Sequence, residues 1–321
     1  MSIRLSSAPH IRTSASTQSL MLNVVIAMMP CAIAGIYLYE ISALTVLLVS
    51  TATAVVCEYL WQRLMKIPVR VGDCSALVTG IVLGLTLPPT LPWWAAMVGS
   101  AFAIIVVKQL FGGIGDNFLN PALTARAVLL ASWPARMTTY VDITRKGIAD
   151  AATMATPLSG APVEITLKEL WMGTVPGAIG ETCKYAIVIG LAYMLITKTI
   201  SWRIPVITIL SAFVSAFVLG MDPVVSILAG GILFGAVFMA TDYTTSPMSA
   251  SAQYAYAAGI GVLTMIIRKF GAYPEGVTYA ILIMNILTPL LDKYMPNRIY
   301  GHGKKKEAKK AGWKRERADQ A

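Results

Sequence analysis

Long apolar blocks separated by short polar connections dominate the chain. Ten can be counted, at 21–39, 43–61, 74–88, 92–110, 120–133, 182–198, 204–220, 223–240, 251–268 and 277–295. Most approach the roughly 20 residues that a helix needs to cross the hydrocarbon of a bilayer. Inside a membrane the backbone must satisfy its own polar groups, so blocks of this length predict helices. The pattern therefore predicts an all-α polytopic membrane protein with about ten transmembrane helices. The segment before Met21 is polar and carries no cleavage-type pattern, so the first block reads as a span rather than a signal peptide. Composition agrees: 56% of the 321 residues are hydrophobic and 13% charged, against about 25% charged in an ordinary soluble domain.

Charge orients these spans. With Arg4 and Arg12 on the inner side, the connections holding Arg63, Lys66 and Arg70, and then Lys198 and Arg203, fall inside, as does the tail KKKEAKKAGWKRER from Lys304 to Arg317. Both termini are thus expected in the cytoplasm, with Arg268 and Lys269 as exceptions to the bias. The net charge of +10 is concentrated in that tail, where it suits anionic lipid headgroups or plain solvation rather than nucleic acid. The chain divides into a first membrane half (1–133), an extracytoplasmic connection (134–181), a second membrane half (182–298) and a basic tail (299–321).

The halves echo each other. FGGIGDNFLNPALTARAVLL from Phe111 and FGAYPEGVTYAILIMNILTP from Phe270 both follow a Lys-bearing helix end, 159 residues apart, and Asp73 and Asp222 open a second, weaker pair. Five spans per half is an odd number, so the halves form inverted repeats. Several spans are short or broken. Pro88 and Pro89 stop a helix in LTLPPTLPWW, and Trp93 and Trp94 sit where an interfacial aromatic belt belongs. FGGIGDN and ATDYTTSP are either cavity linings or loop turns, because irregular backbone at membrane depth survives only against protein or a polar cavity. Glu58, Asp73, Asp116, Asp222 and Asp242 are functional candidates if they lie at membrane depth, but most fall near predicted helix ends, where solvated acids are expected.

Familiar catalytic constellations are missing. His10 and His302 lie in the two tails, and Cys31, Cys57, Cys74 and Cys183 are single residues in apolar surroundings, expected to be small buried side chains rather than metal or Fe–S ligands. GGIG lacks the strand-to-helix setting of a dinucleotide site. Redox work would require a bound cofactor. One polar stretch stands apart, DAATMATPLS at 150–159. Pro157 keeps Thr156 out of a helix interior and its alanine neighbours leave the hydroxyl accessible; a helix cap at Thr156 or Ser159 is the plain alternative.

The pattern Asp150-x-x-Thr153-x-Ala155-Thr156 resembles the flavinylation motif D-x-x-[ST]-G-A-T of the RnfD family, the D subunits of Rnf ion-translocating electron-transport complexes, and of the related B subunit of the sodium-pumping NADH:quinone oxidoreductase. FGGIGDNFLNPALTARA and MATDYTTSP resemble that family's Gly-rich, Asn-Pro-containing segment and its second-half counterpart, and the likeness runs over nearly the whole chain. Met154 stands where the common motif has Gly.

The resemblance implies FMN bound covalently to Thr156 through a phosphodiester, installed by a separate flavin transferase that recognises Asp150, Thr153 and Ala155. Arg136, Arg145, Lys146 and Lys168 are potential partners of its phosphate. It also implies a noncovalent riboflavin in the membrane domain, walled by the breaks 112–120 and 241–246, with Gly112, Gly113, Asn117 and Asn120 as lining residues. The implied function is that of one relay in a bacterial inner-membrane complex passing electrons between ferredoxin and NAD, coupled to Na+ or H+ transport and dependent on the other Rnf subunits. The competing classes are a non-redox solute channel or transporter, which inverted repeats suit equally well, and a structural scaffold.

Overall fold

A computed structural model describes residues 16–141, 153–154, 166–271 and 276–296. The helices are α1 (Thr17–Leu64), α2 (Ser75–Thr86), α3 (Trp93–Phe102), α4 (Pro121–Ser132), α5 (Pro134–Met137), α6 (Leu167–Met172), α7 (Lys184–Ile196), α8 (Arg203–Val218), α9 (Pro223–Leu228), α10 (Ile232–Phe234), α11 (Ala250–Phe270) and α12 (Val277–Tyr294). A single two-residue ladder, β1 (Tyr140–Val141) with β2 (Thr153–Met154), is the other regular pairing among the described residues. The chain is thus helical, as the apolar blocks predict, and among the described residues two helices, α1 and α11, are long and apolar enough by themselves to cross a membrane.

Local sequence explains the boundaries. Ser16 caps α1 through a reciprocal pair with Ser19. α1 runs through both of the first two apolar blocks and is interrupted at one residue, Glu40, whose φ is +58°. Asn120 and Asp222 cap α4 and α9, each followed by a proline whose missing N–H costs nothing at the first helical position. α1, α7 and α8 end in the same way: Lys66, Lys198 and Gly220 adopt positive φ just past the helix, and their neighbours' N–H groups close the last turn, as Thr199 N does on Met194 O at 2.9 Å.

The break after α2 positions much of the bundle. α2 stops at Thr86, before Pro88, leaving the Leu85 and Leu87 carbonyls without helical partners. Gly180 N and Ile179 N donate to them at 2.7 and 3.2 Å. Two unwound segments thereby satisfy each other where water is scarce. Tyr39 Oη donates to Gly177 O at 2.9 Å, and Ala178, Ile179, Glu181 and Thr182 are buried. The end of the long connection before α7 is therefore part of the interior. Glycines permit it: a Cβ on Gly35 would lie 2.5 Å from Ile179 Cγ2 and 2.8 Å from Ile179 O.

Two helices loosen into π turns just before the polar breaks. α3 continues as a π-helical stretch over Ala103–Gln109, and α10 over Gly235–Met239. Leu110 N bonds to Ile105 O and Ala240 N to Gly235 O, five residues back in each case. Such turns shift the register of side chains around a helix and recur at functional sites.

Arg268 and Lys269, exceptions to the charge bias in sequence, have a structural task. Arg268 donates to the Ser226 and Ala229 carbonyls and Lys269 to Leu219 O, so they cover the C-terminal ends of α9 and α8. Of the four cysteines, Cys31 is buried and Cys57, Cys74 and Cys183 are half-buried, and none is bonded to another.

Candidate functional site

Two regions at opposite ends of the bundle carry polar chemistry. At one end Trp94 and Trp133 meet edge to face with centroids 5.3 Å apart, and the Arg136 guanidinium lies 5.4 Å from the Trp94 ring centre. Thr90 Oγ1 donates to Thr139 O at 2.8 Å, fixing the chain just before β1. Tyr140 pairs with Met154 and Val141 with Thr153 in antiparallel register. Thr153 and Met154 are thus held by a ladder whose other strand is anchored on the buried Tyr140. Asp150, Ala155 and Thr156, with Arg145 and Lys146, lie outside the described residues. Lys168 is exposed on α6. In the same helix Thr166 and Glu169 form a capping box; the Thr166 N–H and hydroxyl hold the Glu169 carboxyl below its ordinary pKa.

At the other end a partly open cavity, about 730 Å³ with its open mouth counted, lies among the starts of α1, α2 and α4, the ends of α3, α7 and α10, and the two polar breaks. Met21, Val24, Val78, Val82, Met194 and Phe238 supply apolar wall; Ser75, Lys108, Asn117, Asn120, Thr241, Asp242 and Thr244 supply polar groups. The breaks meet directly: Asn117 Nδ2 donates to Thr244 Oγ1 at 3.0 Å, and Asn120 Nδ2 to Met239 O at 3.4 Å. Asp242 accepts from the hydroxyls of Thr244 and Thr245 at 3.0 and 3.2 Å.

A buried charge network forms one side of this cavity. Lys108 Nζ donates to Glu58 Oε2 at 3.0 Å and to Ser75 Oγ at 2.6 Å. Glu58 Oε1 accepts from Gln109 Nε2 at 2.8 Å and Gln62 Nε2 at 3.2 Å. Ser75 Oγ in turn donates to Asp73 Oδ1 at 2.6 Å. Lys108 and Gln109, consecutive residues of the π-helical stretch, both reach Glu58. A second buried ion pair, Arg126 Nη1 to Glu181 Oε1 at 3.0 Å, lies deeper, and Lys184 donates to the Glu181 carbonyl.

The residues singled out in the sequence divide accordingly. Asn117 and Asn120 reach the cavity, where Asn120 also caps α4 through bonds to Ala122 N and Leu123 N. Gly112 and Gly113 are not among its lining residues. With φ of +119° and +100° they make the turn that leads out of α3, and a Cβ on Gly112 would press on Asp116 Oδ2 at 2.7 Å. Asp116 and Asp222 are exposed, as expected of helix-end acids. Glu58 is not: its paired amides and ammonium replace water, which corrects the expectation of a solvated acid.

Sequence reasoning passed over Lys108, Gln109, Arg126, Glu181 and Lys184. A signal was present in the first two cations, because each falls within an apolar block, at 92–110 and 120–133, and an ionisable residue at membrane depth is a functional candidate. No group of three or more His, Cys, Asp or Glu among the described residues has metal-binding geometry.

Comparison with known proteins agrees with the family resemblance. Residues 4–301 match the NQR2, RnfD, RnfE family. The chain is 47% identical over 321 aligned positions to the D subunit of the Na(+)-translocating ferredoxin:NAD(+) oxidoreductase complex of Acetobacterium woodii, covering 96% of this chain and 99% of that one. It is 39% identical to the D subunit of the proton-translocating ferredoxin:NAD(+) oxidoreductase complex of Clostridium ljungdahlii, over 90% of this chain and 93% of the relative. It is 36% identical to the D subunit of the ion-translocating oxidoreductase complex of Halorhodospira halophila, over 92% and 95%. With the match spanning nearly every residue from the first span to the last, the chain belongs to the NQR2, RnfD, RnfE family.

Proposed function

We propose that this chain is the D subunit of an Rnf-type ion-translocating ferredoxin:NAD oxidoreductase, a membrane component that carries electrons and is not catalytic alone. The observation that supports this best is the combination of near end-to-end similarity to proteins of that name with Asp150-x-x-Thr153-x-Ala155-Thr156 in the long connection. The names of the relatives divide between Na+ and protons as the translocated ion, so either suits this reading.

In this proposal ten membrane segments form two inverted halves in a bacterial inner membrane. Arg63, Lys66, Arg70, Lys198 and Arg203 mark the cytoplasmic end, and the flavin connection lies outside. Thr156 carries FMN through a phosphodiester made by a flavin transferase, and the ring supplies reversible electron transfer. The tether keeps the ring at high effective concentration beside its redox partners. Arg136, held over Trp94 near the β1–β2 ladder, is a partner for the remaining phosphate charge.

A second, noncovalent flavin, riboflavin, is assigned in this reading to the cavity at the basic end. Apolar walls suit the faces of a planar heteroaromatic ring, and polar groups suit its nitrogen- and oxygen-bearing edge. Asn117 Oδ1 is an available edge contact, with Lys108 on the same wall.

The test is chemical. Full-length protein made together with its flavin transferase and companion subunits should fluoresce on a denaturing gel, and Thr156→Val should be dark. The mass of the peptide spanning residues 150–159 should exceed that of the bare peptide by one FMN less water. A bare Thr156 in such material overturns the covalent assignment.

A further inference from the structure

We propose that Lys108 is a positioning residue for the redox group of the cavity: its ammonium stabilises the negative charge that reduction brings there, and Glu58 tempers that effect. This rests on the reading of the cavity as a flavin site. Lys108 lies on the cavity wall yet is 3% exposed. Two of its three N–H bonds go to Glu58 and Ser75, and among the described residues the third has no protein acceptor. That bond is available to a ligand edge.

The charge is also held still. Gln62 and Gln109 fix Glu58 behind Lys108, and Asp73 fixes Ser75 beside it, so neither partner can swing away when an electron arrives. Packing alone gives no reason for a cation here, since a buried pair is often no more stabilising than apolar residues of similar volume. The neighbours Ile104, Ile105, Val106 and Val107 show that this stretch of α3 is otherwise apolar.

In a medium of low dielectric a fixed ammonium acts strongly on a charge a few ångströms away. No bond to Lys108 forms or breaks: electrons enter the group from an external donor, and the ammonium keeps its protons. The other ionisable groups at the cavity are Asp242 and Tyr243, from the second break, and Asp73 behind Ser75. They are common to every variant compared.

The experiment uses the full chain with Thr156→Val as background, so that noncovalent flavin is the one flavin in the sample, titrated spectroelectrochemically with dithionite. Lys108→Met should lower the midpoint potential and Glu58→Gln should raise it. Each should change the reduction equilibrium by tenfold or more, about 59 mV for one electron. Lys108→Arg should stay near the parent value. A purely structural pair would shift both variants the same way or neither, and that result overturns the proposal. If Lys108→Met does not fold, Glu58→Gln decides: an upward shift supports the proposal and its absence refutes it. A parent protein that folds but binds no flavin removes the cavity reading, and this inference with it.

Discussion

The Arg126–Glu181 pair offers the sharpest test of how the interior is held together. Both side chains are almost wholly buried, with 2% and 4% exposure, and their charged atoms are 3.0 Å apart. Glu181 also belongs to the unwound segment that bonds to the Leu85 and Leu87 carbonyls, and a Cβ on Gly231 would come within 2.1 Å of its Oε1. Removing one partner of a buried pair costs about 3–5 kcal/mol, because the other charge stays desolvated. The two single variants are not equal. Arg126→Met leaves Glu181 with the Lys184 ammonium close by, whereas Glu181→Gln takes from Arg126 its carboxylate and removes the negative charge beside Lys184, which stays on the main-chain carbonyl of residue 181.

Glu181→Gln should therefore be the worse of the two. A change of 1 kcal/mol moves Tm by roughly 2–4 °C in a chain of a few hundred residues, so Glu181→Gln should melt about 10 °C or more below the parent. The double variant Arg126→Met/Glu181→Leu should recover most of the loss, since apolar replacements remove both desolvated charges. The assay is thermal unfolding of detergent-purified protein followed by intrinsic fluorescence at one fixed scan rate. A double variant that melts no higher than the Glu181→Gln protein, or a Glu181→Gln protein melting within a degree or two of the parent, would refute the argument that the pair acts as a unit.

Three further outcomes are expected. Gly35→Ala should expose the segment before α7 to protease, because the new methyl meets Ile179 backbone as well as side chain; unchanged cleavage at residues 173–183 would count against that packing. Lys198→Gly should raise Tm by a few degrees, as glycine removes a left-handed penalty of about 1 kcal/mol at φ +54°; Lys198→Val should lower it. The depressed Glu169 carboxyl contributes stability to the start of α6 above the ordinary glutamate pKa and loses it as pH falls through the lowered value. Thr166→Ala should bring that pKa back up towards the usual range, read from the carboxyl resonance of labelled protein.

The helical class and the breaks at Pro88, Gly112 and Thr241 were legible because backbone chemistry decides them locally. Proline cannot donate, glycine accepts positive φ, and Asn120 and Asp222 cap the residues that follow them. What could not be read was which breaks would meet. That Leu85 and Leu87 find Gly180 and Ile179, almost a hundred residues on, depends on the bundle and not on either segment. Glu58 differs from expectation for the same reason: near a helix end in sequence, it becomes an interior residue once Lys108 and Gln109, some fifty residues on, pack against it. The short gap between the apolar blocks 21–39 and 43–61 suggested a connection, yet the helix needs only Glu40 to break.

The stops of α1 and α7 bear on biogenesis. Glycine is the cheapest residue for such a stop, and α8 has it at Gly220 on the opposite end of the bundle. At the end with the cavity, the same backbone conformation is taken by Lys66 and Lys198. Each accepts conformational strain to place an ammonium at the helix end, which lowers folding stability slightly; in the proposed orientation it also strengthens the cue that decides which way the nascent helix is threaded. A protein refined for heat resistance alone would trade both lysines for glycine, and the first casualty would be the fidelity with which new chains insert the right way up.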